Sequence, residues 1–125
     1  MNLSNKVDFL GYLKDASFKK IYQHALALVH PSFMEGFSLT GLEAMSLSCP
    51  GISSNSSCLP EIYQKSVLYF DPNKPRQLVG QIKKLQKSKK LRKQLFNRGH
   101  KQVAKYSWQK TANLTINFYQ KILNE

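Results

Sequence analysis

At 125 residues, 42% hydrophobic and 21% charged, the chain is long enough for one globular domain and too apolar for a disordered segment. No apolar run approaches the ~20 residues needed to cross a bilayer, and Met1-Asn2-Leu3-Ser4-Asn5-Lys6 has no signal-peptide core, so a cytoplasmic location is expected. The net charge of +12 is unevenly spread: residues 1–72 carry five Lys/Arg against six Asp/Glu, and residues 73–125 carry fourteen against one.

Taken in chain order, Val7-Asp8-Phe9-Leu10 reads as a short strand ending at Gly11. Asp15 then caps a helix with Phe18, Ile21, Tyr22 and Ala25 on one face. Ala25-Leu26-Ala27-Leu28-Val29 is too short and unbroken for an amphipathic helix, and suits a strand covered on both faces. Residues 39–47 read as a helix, 50–54 as a weaker strand and 55–58 as a polar loop. Residues 59–62 form a short helix with Pro60 in its first turn, and 67–70 form the last strand.

Leu78, Ile82 and Leu85 then mark an amphipathic helix. Ser88 caps another with Leu91, Leu95 and Val103 inward and a break expected near Gly99. A terminal amphipathic helix over 107–125 begins at the cap Ser107. Its stripe of Trp108, Ala112, Thr115, Tyr119 and Ile122 needs a partner surface.

The stretch H-P-S-F-M-E-G-F-S-L-T-G-L-E, residues 30–43, leaves the end of a strand, turns at a glycine and enters a helix. Open α/β sheets build ligand crevices this way, at the carboxyl ends of strands. The helix N-terminus favours negative charge. Glu35 in the turn and Glu43 in the helix can each accept hydrogen bonds from neighbouring hydroxyls of a polyhydroxylated ligand. Gly36 is expected to let backbone N–H groups approach that ligand.

Metal chemistry finds little support. Cys49 and Cys58 lack paired zinc spacing, and His24, His30 and His100 are scattered. No side chain looks like a nucleophile set beside a base. The C-terminal cations suit anionic lipid headgroups or a phosphate-bearing acceptor, with membrane-surface contact the favoured reading. Nucleic acid is not expected, because the lysines are not interleaved with stacking aromatics.

The string E-G-F-S-L-T-G-L-E-A-M-S-L-S-C-P-G-I-S-S-N-S-S-C-L-P-E-I, followed by V-L-Y-F-D-P, resembles the donor-binding part of family 4 retaining glycosyltransferases of the GT-B fold. The resemblance implies an α/β fold: one partial, incomplete Rossmann-like domain over 1–125, with about four short parallel strands, flanking helices and C-terminal helices. It implies hexose transfer from a nucleoside diphosphate sugar to a hydroxyl acceptor, with retention and without a metal or other cofactor. By the same resemblance Glu35 is the catalytic carboxylate beside the donor sugar. Gly36, Phe37, Ser38 and Leu39 lie near sugar and diphosphate, and Glu43 holds the ribose. The loop from Ser54 to Glu61 borders the nucleotide.

If the sheet follows the doubly wound order, the strands at 7, 25, 51 and 67 match its third to sixth. The strands between, where the resemblance implies an arginine and a lysine that neutralise the diphosphate, are then expected from a second polypeptide, or the chain is a remnant or fragment; in isolation it is expected to be inactive. The alternative is a non-enzymatic interaction module docking through the Trp108 stripe. The chain departs from the family pattern at Ser48, where glycine is common, and at Gly51, where a β-branched residue is common. It departs again at Tyr63-Gln64-Lys65-Ser66, which replaces Gly-Asp-Ala.

Overall fold

The structure is a computed structural model that describes residues 4–124. In chain order it contains α1 (Asp15–His24), β1 (Leu28–His30), α2 (Leu39–Ser46), β2 (Gly51–Ser54), α3 (Leu59–Tyr63) and a single 3-10 turn, Gln64–Ser66. There follow β3 (Val67–Phe70), α4 (Pro75–Lys87), α5 (Lys89–Val103) and α6 (Trp108–Leu123). The strands are parallel in the order β1-β2-β3, with Ile52 opposite both Val29 and Leu68.

Side chains alternate across β3, as pleating requires. Val67 and Tyr69 face a cluster built from Leu42 and Met45 of α2 with Leu59, Ile62 and Tyr63 of α3. Leu68 and Phe70 face the opposite cluster, where Ile52 meets Leu85 of α4 and Leu95 of α5. Ile52, Leu59 and Leu85 are completely buried, each contributing about 1.5 to 3 kcal/mol. The helices lie on both faces, so this is a small α/β layered domain.

The expected strand at 7–10 does not form, so the sheet of the described residues has three strands rather than four. A strand exists through its ladder of hydrogen bonds, and this run meets no neighbour; Phe9 is 96% exposed. β1 starts at Leu28, and Val29 is exposed, so it is not covered on both faces. Ala25 instead caps α1, and β1 is an edge strand. β2, read as the weaker strand, is buried at all four residues because it is central.

The break expected at Gly99 is absent, and α5 runs through it. Gly99 is buried where α5 crosses α2, and a Cβ there would lie 3.1 Å from Met45 Cγ, so its role is close helix approach. Lys14, not Asp15, occupies the N-cap of α1, without a side-chain bond. Ser88 and Ser107 cap α5 and α6 as read, their hydroxyls accepting from the Leu91 and Lys110 amides at 3.1 Å. None of the residues of α6 is buried, so its apolar stripe does not fold onto the sheet.

Candidate functional site

His30 ends β1 and Ser54 ends β2, which places the loop 31–38 at the carboxyl edge of the sheet. Ser54 Oγ donates to the Ser32 carbonyl at 2.5 Å, tying that loop to β2. The Glu35 backbone is pinned from the far side: its N–H donates to Ser57 Oγ at 3.3 Å, and its carbonyl accepts from Ser57 Oγ at 3.0 Å and from Cys58 Sγ at 3.3 Å. The Glu35 carboxylate meets His30 Nε2 at 2.9 Å. That hydrogen bond, with a second from Ser32, holds the Glu35 carboxyl below its ordinary value of 4.5.

The left-handed residue of the turn is Ser38, with φ 69°, and not Gly36. Gly36 is exposed, and a Cβ placed on it would touch nothing within 4 Å, so its backbone presents an open face. Ser38 is steadied by its side chain, with Oγ 2.6 Å from Tyr63 Oη and 3.1 Å from His30 Nδ1. Tyr63 is buried, and burial pushes its phenol above 10.

Phe37 and Leu39 turn the other way, into a hollow of about 510 Å³. Glu43, Ser46, Tyr106 and Trp108 complete most of its wall, and Phe37 packs edge-on against Tyr106 at 5.4 Å. Of the residues read from the sequence, Glu35, Ser38 and Ser54 therefore share one hydrogen-bonded network, while Phe37, Leu39 and Glu43 share the hollow. Glu35 is not part of the wall of that hollow, so the two carboxylates do not line one hollow together. Glu61 is exposed in the first turn of α3 and has no side-chain partner among the described residues. No group of three His, Cys, Asp or Glu capable of holding a metal occurs among the described residues.

Sequence reasoning assigned Tyr63 no site role and Ser57 only a place in the loop that borders the nucleotide, and it read His30 as structural or exposed, though close to the proposed crevice. Only His30, at the end of a strand, carried a local signal; Tyr63 reaches Ser38 across 25 residues of chain.

The profile of the family described as "Glycosyl transferases group 1" matches residues 1–102. The chain belongs to that family. It is 35% identical to the O-antigen chain mannosyltransferase B of Escherichia coli over 91% of this chain and 30% of that protein. It is 31% identical to the uncharacterized glycosyltransferase MJ1607 of Methanocaldococcus jannaschii over 96% of this chain and 32% of that one. In structure it is similar to sucrose-phosphate synthase from Thermosynechococcus elongatus, at TM-score 0.87 and 23% identity, over 98% of this chain and 31% of that chain. The chain thus spans about a third of the length of each of these three proteins. The last likeness establishes the fold alone, a GT-B Rossmann-like domain.

Proposed function

We propose that this chain is the donor-binding part of a glycosyltransferase that moves a hexose from a nucleoside diphosphate sugar to a hydroxyl acceptor, with retention and without a metal or other cofactor. The observation that carries the reading is the Glu35 carboxylate, held by His30 at the carboxyl end of β1 beside the open backbone of Gly36 and the start of α2. An ionised, pre-oriented acceptor suits sugar hydroxyls, and the free N–H groups of a helix N-terminus suit a diphosphate. Glu35 meets the sugar, and the 36–39 backbone meets sugar and phosphate. Glu43 meets the ribose, in the apolar hollow with Phe37 and Leu39. Mannose is favoured as the sugar by the likeness to a protein named as a mannosyltransferase.

Catalysis is then by positioning and by stabilising the departing diphosphate. A helix N-terminus gives about 0.3 to 1 kcal/mol per charge, against the ~8 kcal/mol of micromolar binding. Further cationic groups are therefore required, from another segment or a second polypeptide. The test is calorimetry with GDP-linked and UDP-linked hexoses, mannose included, on this chain fused behind the remaining two-thirds of the Escherichia coli relative, with and without EDTA. Binding that Glu43→Ala weakens about tenfold or more supports the ribose assignment; unchanged affinity removes it, and loss with EDTA removes the metal-free reading.

Two partner readings accompany this one. Lys65 of the 3-10 turn, Arg98 and Lys101 of α5 and Lys105 just beyond it border one hollow, a cationic cluster that supports peripheral contact with an anionic membrane on the cytoplasmic side. The exposed Leu114, Phe118, Tyr119 and Ile122 of α6 favour a protein surface packed on that helix. Even a non-enzymatic interaction module would use that same helix. Light scattering showing a monomer whose Trp108 is shielded from quenchers would remove its motive.

A further inference from the structure

Tyr63 ends α3 and is 1% exposed, with its ring beneath α2. Gly41 makes the space: a Cβ there would stand 2.2 Å from Tyr63 Oη. A phenol removed from water needs hydrogen-bond partners, and packing alone would be served as well by phenylalanine. Its Oη lies 2.6 Å from Ser38 Oγ, 3.1 Å from the Ser38 carbonyl oxygen and 3.2 Å from His30 Nδ1.

The donors along this network can be ordered. An ionised carboxylate only accepts, so His30 Nε2–H donates to Glu35 Oε1 across 2.9 Å. In a neutral imidazole Nδ1 then accepts, and the Ser38 hydroxyl at 3.1 Å can supply that proton. Ser38 Oγ in turn accepts from Tyr63 Oη–H, whose proton can also serve the Ser38 carbonyl. The hydroxyl thus touches both features that shape the turn, the left-handed Ser38 and the ring that holds Glu35.

Resting on the donor-site reading above, we infer that Tyr63 is a positioning residue of the sugar-binding turn, fixing Glu35 through Ser38 Oγ and His30 without itself touching the donor. Glycine would hold a positive φ unaided, whereas Ser38 needs this hydroxyl to hold its place. The Glu35 carboxylate sets which nitrogen of His30 carries the proton, and the Tyr63 hydroxyl steadies the Ser38 group that Nδ1 accepts from.

The test uses ¹⁵N-labelled chain, with His30 ring signals assigned by His30→Gln, and three variants: Tyr63→Phe, Ser38→Gly and the double variant. Ser38→Ala, which removes the link and spares Tyr63, serves if Tyr63→Phe does not fold. Tyr63→Phe or Ser38→Ala is expected to shift the His30 Nδ1 and Nε2 resonances and the amides of residues 35–38. On the fused chain of the calorimetric test, Tyr63→Phe is expected to raise the nucleotide-sugar Kd about tenfold. In the Ser38→Gly background that loss should shrink to about twofold or less, because coupled residues are not additive. Unmoved His30 signals, or equal losses in both backgrounds, overturn the inference. If the His30 response appears and the unmodified fused chain binds no nucleotide sugar, the donor reading fails while the Tyr63 linkage stands.

Discussion

Gly51 and Val67 face each other across β2 and β3 so closely that a Cβ on Gly51 would stand 2.6 Å from Val67 Cγ1. The sequence reading noted Gly51 as a departure from a common β-branched residue; the structure gives it a steric reason. Gly51→Val should destabilise the chain by about 1 to 3 kcal/mol through overpacking. Val67→Ala should recover most of that loss. Thermal melts of the two single variants and the double variant check this, and equal losses with and without Val67→Ala would refute it.

Ser48 and Gln64 hold positive φ, 69° and 49°, a conformation that glycine adopts without strain. Gln64, in the segment that replaces Gly-Asp-Ala, combines that φ with ψ −124°, in backbone space that side chains rarely enter. Gln64→Gly is expected to stabilise by about 0.5 to 1 kcal/mol, the strain relieved exceeding glycine's entropic cost and the lost Lys105 contact. Ser48→Gly should give a smaller gain. Urea midpoints that fall in both variants would contradict this account.

The depressed Glu35 carboxyl ties stability to pH. A carboxyl whose folded value lies below its unfolded value stabilises above the unfolded value, here 4.5, and that contribution is lost as pH falls through the folded value. Asp71, lowered by the Asn73 amide and by Lys74, acts in the same direction. Denaturation midpoints should therefore drop between about pH 5 and pH 3, and the drop should be shallower in Glu35→Gln, with the Asp71 share remaining. Parallel curves for the two proteins would show that the His30 contact contributes nothing.

Trp108, the one tryptophan of the chain, is 78% exposed and lines the hollow with Glu43. A nucleotide placed there should change its emission, saturating with the Kd read by calorimetry on the fused chain. Glu43→Ala should weaken that response, while Glu61→Ala, outside the hollow, should leave it intact. No change in emission on confirmed binding would move the nucleotide elsewhere.

Arg98 and Lys101 border a hollow of about 580 Å³ whose wall contains no acidic side chain. Binding to vesicles of mixed anionic and zwitterionic lipid should exceed binding to zwitterionic vesicles, and should fall as salt shortens the screening length. At about 1 kcal/mol per cation near such a surface, replacing both residues by glutamine should lower partitioning about thirtyfold at low salt. Equal partitioning into both vesicle types would exclude the membrane role.

The parallel α/β class came with the family resemblance, while local chemistry in the sequence was enough to read the succession of strands and helices, the caps Ser88 and Ser107, and the strand–turn–helix frame around Glu35. Each depends on residues near one another in the chain, through apolar periodicity, hydroxyl capping or a glycine-marked turn. Tertiary structure alone decided the rest. Residues 7–10 have strand-forming side chains but form no strand, because a ladder needs a neighbour. Gly99 reads as a breaker and is a contact, because Met45 of another helix lies against it. The carboxylates of Glu35 and Glu43 share a motif and are divided between a His30 network and a separate hollow. Tyr63 reaches Ser38 only once α3 has folded beneath α2, a closeness in space that no spacing along the chain encodes.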